Sequence, residues 1–494
     1  MTLAGVAISG ALTAALVGAA MVHAEPTRRR QRTRRDGRPA PGARWTNRRE
    51  LRHLTETGPG RIRLGTAEAA GFRRAPELWT EPAQSVAVIG PTQSGKTTGL
   101  AVPAILSWRG PIVAASVKTD LLAATEAWRR SLGTVWCFDP AGTTGRPTSA
   151  WSPLPAARTW AGARRVAADL TEVARSPTTT GDGEFWYATA AKLLAPLLFA
   201  AATGGGTMDD VLRWVDTQEV TEVLDLLESA GVDQAIWAAR ATWQRDERQR
   251  SSVYTTAETV LEPLVGGDAD PGSTVDPGVL LEASNTLYLC APVHDQRRLR
   301  GLFVALVKQV LEAAFARAVL CGPLDPPLLV VLDEAANIAP VAELDGLAAT
   351  CAGSGIQLVT VWQDMAQITA RYGARAPTVL NNHRARLFLS GIADPSTLEY
   401  ASGLVGEEEV SMGSLTRDGR GGRSTTTSTH RRRLLPPEAL RQLPRGTGVL
   451  IYGERPPIRL RLVPWSRDPV LADRGRASGL GSRKAAGPDP ATVG

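Results

Sequence analysis

The chain has 494 residues, 43% of them hydrophobic and 21% charged, with a formal net charge of +7 and a pI near 9.5. That length and balance exclude a single small domain and a chain too polar to build a core; two or three domains with large cores are expected. The positive excess, much of it near the N-terminus, favours a polyanionic partner. Nearly all of it is arginine, which with abundant Ala, Gly and Pro fits a high-GC bacterial genome. Cys137, Cys290, Cys321 and Cys351 are isolated, mostly in apolar runs, without C-x-x-C spacing. They read as small core residues of a reducing compartment, and no zinc site is indicated.

Thr2 to Val22 carries no charge and is mostly Ala, Leu, Val and Gly, and about 20 apolar residues can span a bilayer. Arg28, Arg29, Arg30, Arg32, Arg34, Arg35 and Arg38 follow at once. The positive-inside rule keeps that flank cytoplasmic, so a single-pass plasma-membrane anchor over 1–24 with a cytoplasmic bulk is expected. The rival reading is a cleaved signal peptide, because Val22-His23-Ala24 resembles a cleavage site. Against it, no positive charge precedes the apolar run, and the dense arginines would resist export. Residues 25–80 are a basic linker and lead-in. The Arg-, Pro- and Gly-rich part, to about residue 60, is expected to be flexible, its charge fixing topology ahead of binding anionic lipid or nucleic acid.

Ser85-Val-Ala-Val-Ile-Gly90 is a short apolar, β-branched run, read as a buried strand. It leads into Gly90-Pro91-Thr92-Gln93-Ser94-Gly95-Lys96-Thr97, a G-x-x-x-x-G-K-T sequence, and an apolar helix over Thr98–Trp108 follows. Strand, glycine loop and helix start together define a phosphate-binding loop: successive N–H groups point at the β-phosphate of a nucleotide, helped by the helix N-terminus. Gly90 to Thr98 are the candidate nucleotide-binding residues. Lys96 would reach the β- and γ-phosphates, and Thr97 would take a place on Mg²⁺.

Further strands are read over Gly110–Ser116, Thr134–Phe138 and Thr286–Cys290. Between 155 and 250 the spacing turns helical over Arg158–Arg175, Phe185–Ala202, Met208–Ala230 and Asp233–Arg245, an all-helical insertion. A long helix is read over Arg298–Ala318. Leu328-Leu-Val-Val-Leu332 then delivers Asp333 and Glu334 at the end of a buried strand, the Walker B pattern. Asp333 would hold Mg²⁺ through water, and Glu334 would act as general base on the attacking water. The strand Ile356–Trp362 ends at Gln363, placed to sense the γ-phosphate. Strands alternating with helices imply a mostly parallel sheet covered on both faces, with ligands at the carboxyl ends of its strands. Arg417 to Arg433 mixes Gly, Ser, Thr and Arg without apolar periodicity and reads as a loop, hairpin tip or mobile segment. Gly448–Tyr452 and Ile458–Val463 read as strands completing the sheet edge. From Ser466 the tail shows no pattern and is expected to be disordered.

The ordered set GPTQSGKT, SVKTDL at 116–121, FDP at 138–140, GEFWYATAAKLL at 183–194, LDEAANI at 332–338, VWQDMAQI at 361–368, ADPSTLEYASGLVGEEEV at 393–410 and RRLLPPEALRQLPRGTGVLIYGERPPI at 432–458 resembles the coupling-protein ATPases of bacterial conjugation and type IV secretion, TraG-like and of actinobacterial type. The resemblance covers roughly residues 80 to 465. It implies a RecA-like P-loop domain, split into 81–154 and 251–465 around the insertion, forming a homo-hexamer that uses ATP and Mg²⁺. Implied partners are DNA, single-stranded and contacted without sequence preference, the relaxase or relaxosome, the secretion-channel proteins and the membrane. Lys96, Glu334 and Gln363 would be catalytic, Gln363 coupling nucleotide state to DNA-contacting loops, with Thr97 and Asp333 on the metal. The insertion would correspond to the all-alpha domain that selects cargo.

Two departures stand out. Only one membrane span is visible, and the arginine that relatives often carry before the glutamine strand is absent from Cys351-Ala-Gly-Ser-Gly355, leaving Arg371, Arg375, Arg384 and Arg386 as substitutes. Two other classes stay open: an FtsK-like translocase of double-stranded DNA, and a receptor that docks cargo without hydrolysis.

Overall fold

The computed structural model describes residues 42–68, 75–174, 182–264, 269–292, 294–338, 341, 343–417 and 423–476. The anchor read over 1–24, the first part of the linker, and the tail beyond 476 lie outside the described residues.

The strands in chain order are β1 (Arg63–Ala67), β2 (Glu77–Trp79), β3 (Val86–Ile89), β4 (Ile112–Ser116), β5 (Val135–Phe138), β6 (Thr148–Ala150), β7 (Ala269–Thr274) and β8 (Thr286–Cys290). They continue with β9 (Leu328–Leu332), β10 (Ile356–Trp362), β11 (Ala385–Leu389), β12 (Glu407–Arg417), β13 (Arg423–Arg433), β14 (Thr447–Tyr452) and β15 (Ile458–Arg461). One 11-stranded sheet runs β2-β1-β15-β14-β11-β3-β10-β9-β4-β8-β5. From β11 to β5 neighbours are parallel; from β11 to β2 they are antiparallel.

The parallel strands are apolar without alternation because helices cover both faces. Along β9, Leu328, Val330 and Leu332 enter one core, while Leu329 and Val331 enter the core on the other face. β14 and β15 do not end the sheet: β1 and β2 extend it, with Thr66 opposite Arg461. β11 carries a weak sequence signal, since Arg386 interrupts its apolar run.

The segment 42–60, expected to be flexible, folds onto the body. Leu51 and Leu54 are buried in the core, and Arg44 pairs with Glu50. Residues 466–476 are likewise ordered: the helix Pro469–Arg476 buries Leu471 and Ala472, and Arg474 donates to the Leu106 carbonyl at 2.8 Å.

The insertion has its own core, centred on the helix Asp182–Gly204, where Leu193, Leu194, Leu197 and Leu198 are fully buried. This is the one helix among the described residues long and apolar enough to cross a membrane, and it serves here as a packed core helix. The expected helix over Met208–Ala230 is two helices, Met208–Asp216 and Thr221–Ala230. Gln218 turns left-handed between them, and Glu219 accepts from the Thr221 and Glu222 N–H groups. A further helix, Glu247–Leu261, packs on the same core.

The helix Gln296–Cys321 bridges insertion and sheet: its Lys308 ammonium reaches Asp169 at 2.9 Å, Glu172 at 3.2 Å and Glu343 at 3.3 Å. Of the segment from Arg417 to Arg433, Arg417 ends β12 and Arg423–Arg433 form β13, two 11-residue strands paired antiparallel. The base of this pair sets Glu407, Glu408 and Glu409 opposite Arg433, Arg432 and Arg431. Opposite charges facing across the ladder, rather than an apolar face, pair these strands.

Candidate functional site

The carboxyl ends of β3, β10, β9 and β4 lie side by side, and the candidate residues project from this rim. Main-chain bonds hold it together. The Gly90 N–H donates to the Trp362 carbonyl at 3.1 Å, the Ala335 N–H to Val361 at 3.1 Å, and the Asp333 N–H to Ala115 at 2.9 Å.

The loop leaves β3 at Gly90, where a Cβ would lie 2.9 Å from the Leu389 Cβ and 3.0 Å from the Ser94 Oγ, so no side chain fits. Gly95 has φ of +95° and Gln93 φ of +62°, left-handed positions that curl the loop; only the first suits its residue type. Thr92, Gln93 and Thr98 are exposed, and Pro91 is half-buried. Ser94 is buried, and its Oγ has no hydrogen-bond partner. A π-helical turn over Thr97–Ala101 continues into the helix Val102–Ser107, so Pro103, which has no N–H to donate, sits just after the point where the wider turn passes into the α-helix.

The Lys96 ammonium curls back onto its own loop, donating to the Gly90 carbonyl and, at 2.6 Å, to the Pro91 carbonyl. Burial lowers its pKa, against the pull of Asp333 and Glu334. Thr97 Oγ1 donates to Asp333 Oδ2 at 3.0 Å, and Ser116 Oγ, at the end of β4, reaches the same oxygen at 3.5 Å. Asp333 is 6% exposed. Burial, with the neighbouring charge of Glu334, pushes its pKa up to about 6, while Thr97, Lys96 and Ser116 oppose the shift.

Glu334 has φ of +66°, a conformation that stores strain in a non-glycine residue. Its Oε2 accepts from Asn337 Nδ2 at 3.2 Å, while its carbonyl accepts from the Asn337 and Ile338 N–H groups. Arg300 Nε in turn donates to the Asn337 carbonyl at 3.3 Å. Gln363 is half-buried, directly after the residue whose carbonyl holds Gly90; its N–H donates to Gln367 Oε1 at 3.0 Å.

Loop, carboxylates and Gln363 thus share one rim. Of the four substitute arginines, Arg375 pairs with Asp345 at 3.1 Å, and Arg384 pairs with Glu454 at 2.9 Å and Glu81 at 3.6 Å. Arg386 lies within β11, and Arg371 is half-buried. Sequence reasoning missed Ser116, Asn337 and Arg445. Arg445 Nε donates to the Gln93 carbonyl at 2.8 Å. Its signal was present: Pro444-Arg445-Gly446 just ahead of a strand is a turn sequence, and Asn337 follows Glu334 by one helical turn's spacing.

Fold and site together define a RecA-like α/β protein with a P-loop. The profile of the family "Type IV secretory system Conjugative DNA transfer" matches residues 44–479, and the chain belongs to that family. Conjugal transfer protein TraG of Escherichia coli is 27% identical over 399 residues, covering 73% of this chain and 62% of TraG. Protein VirD4 of Rhizobium radiobacter is 24% identical over 420 residues, covering 78% of this chain and 57% of VirD4. The chain therefore spans about three fifths of the length of these relatives.

Among solved structures, the bacterial conjugative coupling protein TrwB, in its unbound form, superposes with a TM-score of 0.64 at 20% identity, covering 86% of this chain and 93% of that one. TrwB in complex with ADP and Mg²⁺ superposes with a TM-score of 0.59 at 21% identity, covering 86% and 94%.

Proposed function

We propose that this chain is a membrane-anchored ATPase, acting as a homo-hexamer, that couples ATP hydrolysis to passage of DNA with its relaxase into a type IV secretion channel. The observation that carries this reading is the meeting of Thr97 Oγ1 and Asp333 Oδ2 at 3.0 Å, with Lys96 and Glu334 on the same rim, in a member of the conjugative DNA transfer family.

The residues present fit a magnesium nucleotide. A hydroxyl and a carboxylate are the hard oxygen donors that Mg²⁺ takes, and the buried, unpartnered Ser94 Oγ leaves a polar group inside the loop for a phosphate oxygen. Bound ATP would bring the phosphoanhydride bond, and Mg²⁺ the charge that neutralises it. Lys96 would exchange the carbonyls of Gly90 and Pro91 for phosphate oxygens. Thr97 and Asp333 would hold the metal side, Asp333 through water. Glu334, oriented by Asn337, would accept the proton of the attacking water. Gln363 would pass the state of the loop to DNA-contacting segments, and the insertion over 155–250 would select cargo.

The test is ATP turnover by the full chain in detergent with no DNA, single-stranded DNA or duplex, beside Lys96→Ala. Stimulation by single strands, abolished in the variant and lost at high salt, is expected, because phosphate contacts are salt-sensitive. Stimulation by duplex alone supports the double-stranded translocase instead. A folded oligomer without hydrolysis in any condition supports the cargo receptor.

A further inference from the structure

We propose that Arg445 is a nucleotide-contacting residue, supplying a second cation to the polyphosphate of the nucleotide bound at its own subunit's loop. This rests on the ATPase reading above and adds a residue to that site. Arg445 stands in a fastened turn. The Thr447 N–H and Oγ1 both donate to the Pro444 carbonyl, at 3.0 and 2.6 Å. The ends of the turn are tied to the segment after β11: the Ser390 N–H donates to the Thr447 carbonyl at 3.0 Å and the Gly391 N–H to the Arg441 carbonyl at 3.1 Å. On its other side the Gly446 carbonyl accepts from the Leu462 N–H at 2.7 Å. The turn also lies against the loop itself, the Gly446 Cα being 4.0 Å from where a Gly95 Cβ would stand.

From this support the Arg445 guanidinium reaches the loop through Nε alone, on the Gln93 carbonyl at 2.8 Å. Its two terminal nitrogens make no hydrogen bond to the described residues, and no carboxylate among them pairs with it, although the side chain is exposed. Two other arginines of the nucleotide domain, Arg375 and Arg384, are neutralised by acids. A fixed, unneutralised guanidinium with a free fork beside a phosphate loop suits an anion with paired oxygens. Lys96 approaches the same loop from within, so the two cations would bracket one polyanion.

The experiment measures equilibrium binding of a fluorescent non-hydrolysable ATP analogue, with Mg²⁺, to the full chain in detergent. It compares the wild type with Arg445→Ala, Arg445→Gln and Arg445→Lys, with thermal melting of each as the control for folding. Loss of a charge-assisted contact weakens binding by about tenfold in the Ala and Gln variants, with melting unchanged, and Lys restores part of the affinity.

Wild-type affinity in the Gln variant overturns the proposal, since a neutral donor would then suffice and the bond to Gln93 would be only a prop. Unchanged affinity in the Ala variant overturns it as well. A wild-type chain that binds no analogue overturns the ATPase reading itself, a result separable from either. Mixed oligomers of Arg445→Ala and Lys96→Ala subunits are expected to bind the analogue no more tightly than Arg445→Ala alone. Wild-type affinity recovered on mixing would place Arg445 on a neighbour's nucleotide and overturn its assignment to its own subunit.

Discussion

Asp333 is where protons and metal compete. Its carboxyl, buried behind Thr97 and Ser116 and repelled by Glu334, ionises at about 6 instead of near 4. With that pKa, the ionised fraction falls from about nine tenths at pH 7 to about one tenth at pH 5. Mg²⁺ binds the anion, so acidification removes the ligand and a rise in pH restores it. The Mg²⁺-dependent part of nucleotide affinity is therefore expected to weaken about tenfold between pH 7 and pH 5. The assay is a Mg²⁺ titration of analogue binding to the full chain at pH 5, 6, 7 and 8, with melting followed at each pH to show that the fold persists. Asp333→Asn is expected to bind weakly at every pH and to lose the slope. A flat wild-type profile between pH 5 and 7 would refute the reasoning, and so would an equal slope in Asp333→Asn.

His383 is fully buried, its Nδ1–H donating to the Val379 carbonyl at 2.7 Å and its Nε2 accepting from Thr360 Oγ1 at 3.2 Å; burial holds its pKa down to about 4. Because the folded pKa lies below the unfolded 6.5, its contribution is complete above pH 6.5 and is lost as pH falls towards 4, about 1.4 kcal/mol per unit. Urea midpoints over that range should fall less steeply in His383→Gln, and identical slopes would count against it. Arg129 is fully buried and donates to the carbonyls of Trp108, Gly110 and Ser284 and to Thr286 Oγ1, at 2.7 to 2.9 Å. Arg129→Met leaves those carbonyls unpaired and should cost about 3 kcal/mol or more, read as a urea midpoint shift; a loss below about 1 kcal/mol would show that water replaces the guanidinium. Asn337→Ala frees the Glu334 carboxylate and should lower kcat about tenfold with KM within about twofold, whereas an unchanged kcat would remove Asn337 from the positioning of the base.

The sequence was most legible where a residue's neighbours in space are also its neighbours in the chain. β9 and β10 could be read to the residue, because strands covered on both faces are apolar at every position and stop abruptly at Asp333 and Gln363. The loop from Gly90 to Thr97 is a contiguous chemical pattern for the same reason. The misreadings have physical causes of their own. Val211, Val215, Val223 and Leu227 all point into one core, so apolar phase carried across the break at Gln218 and hid the end of a helix. Composition alone made 42–60 a linker, but Leu51 and Leu54 were enough to dock it. The strands β12 and β13 pair by facing charges at their base, and apolar alternation had nothing to report there. Arg445 is the instructive omission: 352 residues separate it from Gln93, and only the antiparallel extension of the sheet through β14 brings its turn beside the loop. A group whose role depends on that extension cannot be found from motif spacing. It can be found by asking which cation outside the loop contacts the loop's main chain without pairing to an acid, as Arg445 does at the Gln93 carbonyl.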